Sequence, residues 1–143
     1  MIISESGWSN FNRLSEFPRE FIPGCFVYAF YDNYPERGGQ VVYVGSTASI
    51  RNRMASHYSG EKFCDPLVRY KKFVPGYHLS TEYRLINKIK PVFNSQHIRF
   101  KNIEEKREWV RRGHTYRKGS RWADKRAARI NSIEGGNLEF AHG

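Results

Sequence analysis

Cysteine is scarce: Cys25 and Cys64 are the two that the 143 residues contain, and they lie far apart. No Cys-x-x-Cys pair and no cysteine/histidine spacing of a zinc module occurs, which argues against a structural zinc site. Two isolated thiols read as reduced and intracellular. Long apolar runs are missing, so no segment is expected to span a bilayer. Met1 to Asn10 has neither a basic start nor a long apolar stretch, so no signal peptide is expected and the protein should be cytosolic. Neither an internal repeat nor a low-complexity tract breaks the chain. Its length predicts one domain with a core that needs no covalent staple.

Acidic residues are the other shortage: 14 Asp and Glu face 24 Lys and Arg, a net charge of +10. Such an excess points to a polyanionic partner, most often nucleic acid. Aromatics make up 15% of the chain, enough to pair phosphate contact with base stacking.

The β-branched and aromatic stretch from Gly24 to Tyr31 predicts a strand. Asp32 to Gly39, with Pro35 and Gly38-Gly39, predicts a turn, and Gln40 to Gly45 a second strand pairing antiparallel with the first. Thr47 or Ser49 can then cap a helix to about Tyr58, with Ile50, Met54 and Tyr58 as its buried stripe. Ser59-Gly60 stops it. Val68 to Val74 reads as a third strand. After Pro75-Gly76, Ser80 is expected to cap a second helix ending before Pro91, with Leu85, Ile86 and Ile89 inward. The fold expected is α/β of the α+β type, a small central three-stranded antiparallel sheet flanked by helices. Residues 1–23 form an N-terminal extension in which Ser9 or Ser15 can cap short helices. Residues 24–98 form the core. Residues 99–143 form a basic helical C-terminal extension packed on or next to the core, with helices at about 102–112 and 121–133 joined by a flexible Gly113–Ser120 link.

Single residues carry chemistry ambiguously. Arg53 and His57, four apart on one helix, share a face beside the Ile50/Met54 stripe. Glu82 sits on the apolar face of the second helix, where an unpaired carboxylate is costly. It can bind a metal, favour the helix N-terminus or pair with an arginine. Tyr28 and Tyr43 are strand residues of a common kind, and alternation sets Tyr28 and Tyr31 on opposite faces. Gly45, Ser46 and Thr47 form a strand-to-helix turn whose N–H groups can cap a helix or meet a phosphate.

Taken in order, these elements resemble the GIY-YIG nuclease family. Phe26-Val27-Tyr28 stands where the first signature falls, with its glycine displaced to Gly24. Val42-Tyr-Val-Gly-Ser-Thr47 is similar to the second signature. Arg53-Met-Ala-Ser-His57 has the family's arginine-to-histidine spacing. Glu82-Tyr-Arg-Leu-Ile86, then Pro91 and Asn94, resembles its glutamate-to-asparagine segment. The resemblance covers about half of the chain, with five dispersed elements in order. It implies a metal-dependent endonuclease hydrolysing DNA phosphodiester bonds. It assigns Tyr28, Tyr43, Arg53, His57 and Glu82 as catalytic, Glu82 as protein ligand of one Mg²⁺ or Mn²⁺ ion, and Gly45 and Asn94 as support. Tyr28 is then the general base, helped by Arg53 and His57 either lowering its pKa or relaying the proton. Arg53 also stabilises charge at phosphorus, Tyr43 orients water or phosphate, and the cation protects the leaving 3′-oxygen.

Double-stranded DNA is the expected partner, with contacts from Ser46, Thr47, Arg51, Lys71, Lys72, Arg111, Arg112, Arg117, Lys118 and Arg121. Residues 99–129 carry twelve Lys or Arg against four acids, a source of sequence-independent phosphate binding. Trp109, Tyr116 and Trp122 can stack on bases, although core packing is favoured for the tryptophans. The short chain argues for a compact restriction-type enzyme working as a homo-oligomer. Phage or mobile-element (homing-type) and repair nucleases are the alternatives. A catalytically inactive nucleic-acid-binding module is the rival of another class.

Overall fold

The computed structural model describes residues 7–60, 62–63 and 65–117, and within 115–117 the backbone alone. The chain is α+β: a four-stranded antiparallel sheet with three helices among the described residues. Strands β1 (Asn12–Arg13), β2 (Cys25–Tyr31), β3 (Val41–Thr47) and β4 (Leu67–Phe73) lie in the order β1-β4-β2-β3. Helices are α1 (Ile50–Gly60), α2 (Tyr77–Ile89) and α3 (Ile103–Arg117). Among the described residues, no helix is long and apolar enough to cross a membrane.

β2 lies between two strands, and its aromatic, β-branched residues suit burial on both faces. Phe26, Tyr28 and Phe30 pack on the side of Ile50 and Met54 from α1. Val27, Ala29 and Tyr31 pack on the side of Leu85 and Ile86 from α2. The β2–β3 turn closes through Asp32, whose N–H donates to Gln40 O and whose carboxylate accepts the Gln40 N–H at 2.7 Å. Gly38 sits there at φ +81°, a conformation a side chain would strain. Pairing slips between Phe30 and Tyr31, which face Tyr43 and Val41. Val42 is the unpaired residue of this bulge, and both Val42 and Tyr43 reach the α1-side cluster.

The sheet has one strand more than the three expected. The additional strand comes from the N-terminal segment, which is stitched to β4. Asn12 pairs with Val68 and Arg13 with Leu67, the Ser9 N–H donates to Tyr70 O, and Leu14 and Phe17 are buried. Ser9 and Ser15 cap no α-helix. Ser9 Oγ accepts the Tyr70 N–H, and Ser15 Oγ donates to Asp65 Oδ2 at 2.7 Å.

α1 buries Ile50 and Met54 as expected, but Tyr58 is exposed. Each four-residue step advances ~40° beyond a full turn, so the eighth residue along swings ~80° off the stripe. The seventh, His57, returns close to it. α2 begins at Tyr77, not after Ser80, whose hydroxyl donates back to Tyr77 O inside the first turn. Thr81, Leu85 and Ile86 are buried and Ile89 is half-buried. Lys90, at φ +51°, ends the helix ahead of Pro91. α3 is capped by Asn102, whose Oδ1 accepts the Glu105 N–H at 2.9 Å. It runs through Gly113 to Arg117, where a flexible link was expected. A glycine costs a helix only about 1 kcal/mol against alanine, so one alone need not break it. The expected helix at 121–133, with Lys118, Arg121 and Trp122, lies outside the described residues.

Candidate active site

β2, β3, α1, α2 and the loop after α2 bring Tyr28, Tyr43, Gly45, Arg53, Glu82 and Asn94 to one polar cleft of about 450 Å³. His57 lies just beneath, its Nε2 2.7 Å from the Tyr28 hydroxyl. These six residues thus line one cavity, and His57 is hydrogen-bonded to one of them. Tyr31, on the opposite face of β2, packs edge-on against Phe11 at 5.0 Å. Alternation along the strand separates the two tyrosines, and the α1 side holds the one bonded to histidine.

His57 is ringed by Tyr28, Phe30, Tyr43 and Phe63, with centroids 5.0 to 5.5 Å away. Burial in this aromatic box, then the charges of Arg53 and Lys62, pull its pKa from 6.5 down to about 4. At neutral pH the ring is therefore uncharged, and in the Nδ1–H tautomer its Nε2 accepts the tyrosine proton. Tyr28 itself is pushed far above the ordinary phenol range by burial and then by Tyr43, with Arg53 offsetting part of the rise. Of the two forms of help expected from Arg53 and His57, lowering the Tyr28 pKa or relaying its proton, the first does not prevail in the net shift. Arg53 does pull downward, but desolvation of a fully buried ring outweighs it, and an uncharged imidazole has no field to help. Tyr43 is raised as well, by burial first.

Gly45 faces Tyr28 across the β2–β3 ladder. A Cβ built there would lie 2.3 Å from both Cζ and the hydroxyl oxygen of Tyr28. The tyrosine ring occupies the volume a side chain would need, so glycine is required for close approach.

Asn94 is buried and grips the peptide of Val44, between Tyr43 and Gly45. Its Oδ1 accepts the Val44 N–H and its Nδ2 donates to Val44 O, both at 2.9 Å. The Phe93 N–H donates to Val42 O at 3.0 Å beside it. Polar groups on the outer side of β3 are satisfied in this way. α3 buttresses the same segment: Trp109 Nε1 donates to Pro91 O at 3.0 Å and Arg112 donates to Lys90 O at 3.2 Å.

Glu82 is half-buried in the second turn of α2 and faces the cleft. Because the helix starts at Tyr77, Glu82 falls beyond the first turn, where the macrodipole acts. Arg53 lines the cleft too, yet among the described residues neither it nor Glu82 forms an ion pair. The two bland explanations for Glu82 thus lose their support. What remains is a carboxylate and a guanidinium on one cavity, each open to a ligand of opposite charge.

Among the described residues no three His, Cys, Asp or Glu side chains cluster as a metal cage. The donor set at the cleft is one carboxylate. That suits a hard cation that keeps several waters and takes its other ligands from phosphate oxygens.

Other expected DNA contacts are dispersed. Ser46 lines the cleft. Thr47 is buried, its Oγ1 accepting the Ser49 N–H at 2.9 Å. Arg51 lies along a separate cavity with Leu14, Phe17, Arg19 and Tyr58. Lys71 and Lys72 sit on β4, paired opposite Val27 and Phe26 and away from the cleft lining. Arg111 is exposed and ion-paired with Glu108, whereas Arg112 is engaged at the end of α2. Arg117 ends α3, and its side chain lies outside the described set. Sequence reasoning missed Lys62 and His97, both of which line the cleft. They stand in loops, where no periodicity marks them. The basic character of Lys62 between a helix end and a buried Phe63 was the one available signal.

Comparison with protein-family profiles, with curated proteins and with solved structures returns no match. Support for a family resemblance therefore rests on the chain's own residues and on the cleft they share.

Proposed function

We propose that the protein is a metal-dependent endonuclease with a GIY-YIG-type fold, hydrolysing DNA phosphodiester bonds as a compact restriction-type enzyme. The observation that carries this reading is the 2.7 Å Tyr28–His57 hydrogen bond beneath a cleft that also presents Arg53 and Glu82 without ion-pair partners among the described residues. A nucleic-acid-binding module needs cations on its surface. It has no need of a tyrosine bonded to a neutral histidine, or of a carboxylate turned into a basic cleft.

The residues divide the work as follows. A water beside Tyr28 attacks phosphorus. Its proton passes to the tyrosine oxygen while the tyrosine's own proton moves to His57 Nε2. The net base is the neutral imidazole, so the high pKa of Tyr28 is no obstacle: a relay needs no standing phenolate. Arg53 stabilises the added negative charge on the phosphoryl oxygens. Tyr43 orients the water or the phosphate, and Asn94 keeps the Tyr43–Gly45 segment in place through Val44. Glu82 would hold the divalent cation, Mg²⁺ or Mn²⁺, which would supply Lewis-acid stabilisation of the charge that develops on the phosphate.

Incubating plasmid with the protein and Mg²⁺, next to Glu82→Ala, tests the proposal. Nicks or breaks are expected with the native chain and no cutting with the variant. Cleavage that persists in a clean Glu82→Ala preparation would remove the metal assignment. A native chain that binds DNA without cutting it would leave the binding module as the reading.

A further inference from the structure

A second cavity, of about 340 Å³, lies between α1 and the N-terminal segment at residues 14–19. Its buried members, Leu14, Phe17 and Met54, make an apolar floor. Arg19, Arg51 and Tyr58 line it as well and are exposed. The N-terminal wall is fixed from behind. Asp65 accepts from the N–H and the hydroxyl of Ser15, at 2.8 and 2.7 Å, and Phe17 packs on Tyr70 at 5.5 Å. The cavity is therefore preformed, and its size is at the small end of ligand sites.

Charge selects the occupant. No acidic residue lines this cavity, and among the described residues neither Arg19 nor Arg51 forms an ion pair. Two guanidinium groups beside an apolar floor and a phenol ring match a ligand with a phosphate and a flat, stackable body, which is a nucleotide. Space restricts the choice further. A cavity walled by a helix on one side and the N-terminal segment on the other admits one nucleotide and not a duplex, so the base must be out of its stack. α1 ties the cavity to the cleft. At ~100° per residue, Arg51 and Arg53 stand roughly 160° apart on the helix, one on each flank. Arg53 lines the cleft and Arg51 the second cavity. A helix of ~10 Å diameter separates them, or about three nucleotide steps of ~3.4 Å. We propose that the second cavity receives one unpaired nucleotide of the DNA strand held in the cleft, which makes a duplex with a displaced base near the cut the preferred substrate. The proposal rests on the DNA-binding reading above. The base lies on Phe17 and Met54 against Tyr58, and the phosphate lies between Arg19 and Arg51.

The test measures affinity of the full chain, without metal, for three DNAs: a fully paired duplex, the same duplex with one bulged nucleotide, and one whose bulge is abasic. The native chain should favour the bulged base over the abasic bulge by roughly tenfold. Ala55→Trp places an indole in the cavity from the exposed side of α1 and should erase that preference, while affinity for the paired duplex stays within about threefold. Arg19→Ala/Arg51→Ala, which leaves the floor intact, should weaken binding of the bulged duplex more than of the paired one. A native chain that binds all three DNAs alike, or a preference that survives Ala55→Trp, would overturn the proposal and leave the DNA-binding reading standing. Equal losses on all three DNAs in the arginine variant would make these residues general phosphate contacts only. Self-association of the DNA-free chain that Ala55→Trp abolishes would give the cavity to a second copy instead. A native chain that binds none of the DNAs would overturn both readings together.

Discussion

Tyr28 and Tyr31 stand three residues apart on one strand, and both rings are buried, yet they belong to different parts of the molecule. The face of β2 carrying Tyr31 is closed by Val44, Leu85 and Ile86. The face carrying Tyr28 is equally buried but holds a histidine, and at its end opens into the polar cleft. Depth of burial does not separate structural from chemical residues here. What separates them is the setting: the Tyr28 hydroxyl meets His57 at a polar cleft, whereas the Tyr31 ring packs edge-on against Phe11.

The sharpest way to break this comparison is to pair one substitution on each face. Tyr28→Phe removes only the hydroxyl and should lower cleavage by about 10²–10⁴-fold, with unchanged DNA affinity, in a single-turnover assay. Leu85→Ala should instead cost about 2–5 kcal/mol in urea unfolding by leaving a cavity in the other face. If Tyr28→Phe cuts DNA at the native rate, the base role belongs elsewhere.

Gly45→Ala comes next. The methyl would overlap the Tyr28 ring, so the ring must shift and its bond to His57 must open. About a hundredfold loss of cleavage is expected from a displacement of this kind. The double variant Gly45→Ala/Tyr28→Phe should be no worse than Tyr28→Phe alone, and additive losses would show that Gly45 acts otherwise.

Asn94→Ala tests support at one remove. It strips partners from a buried N–H and a buried carbonyl of Val44, at a cost of about 2 kcal/mol in denaturant stability. Asn94→Asp should recover part of that, since its carboxylate still accepts the Val44 N–H.

The smallest effect is a pH dependence. Folded His57 titrates at about 4, against 6.5 for the ordinary side chain. An unfolded chain takes up a proton in that window that the folded chain refuses. Stability from this group is therefore complete above pH 6.5 and declines as pH falls towards 4. Comparing urea midpoints at about pH 7.5 and about pH 4.5, His57→Phe should shrink the difference. A native-sized difference in the variant would assign the acid sensitivity to other groups.

Much of this was legible in the sequence because it is written in local pattern. The β-branched run at 25–31 and the Ile50/Met54 stripe placed the central strand and α1 to within a residue or two. A resemblance to a nuclease family, carried by motifs in the same order, named Tyr28, Tyr43, Arg53, His57 and Glu82 together. Three misreadings have physical causes. Tyr58 was taken into the core because a four-residue step was followed once too often. Ser80 was taken as a cap because serine suits caps, although Pro75-Gly76 had already turned the chain into the helix. β1 is two residues long and has no periodicity of its own; it exists because β4 offers it partners. Lys62 and His97 were invisible for a related reason, since loop residues reach the cleft through tertiary closure alone.

The Asn94 clasp also bears on how two copies of this chain can meet. An outer strand with free N–H and carbonyl groups is a template for another chain to extend the sheet. On β3 those groups are already taken at Val44 by a side-chain amide and at Val42 by the backbone of Phe93. At the opposite border, β1 offers only two residues. Among the described residues, extending the sheet at the middle of β3 would therefore require the Asn94 clasp to open first, at the cost of two buried hydrogen bonds.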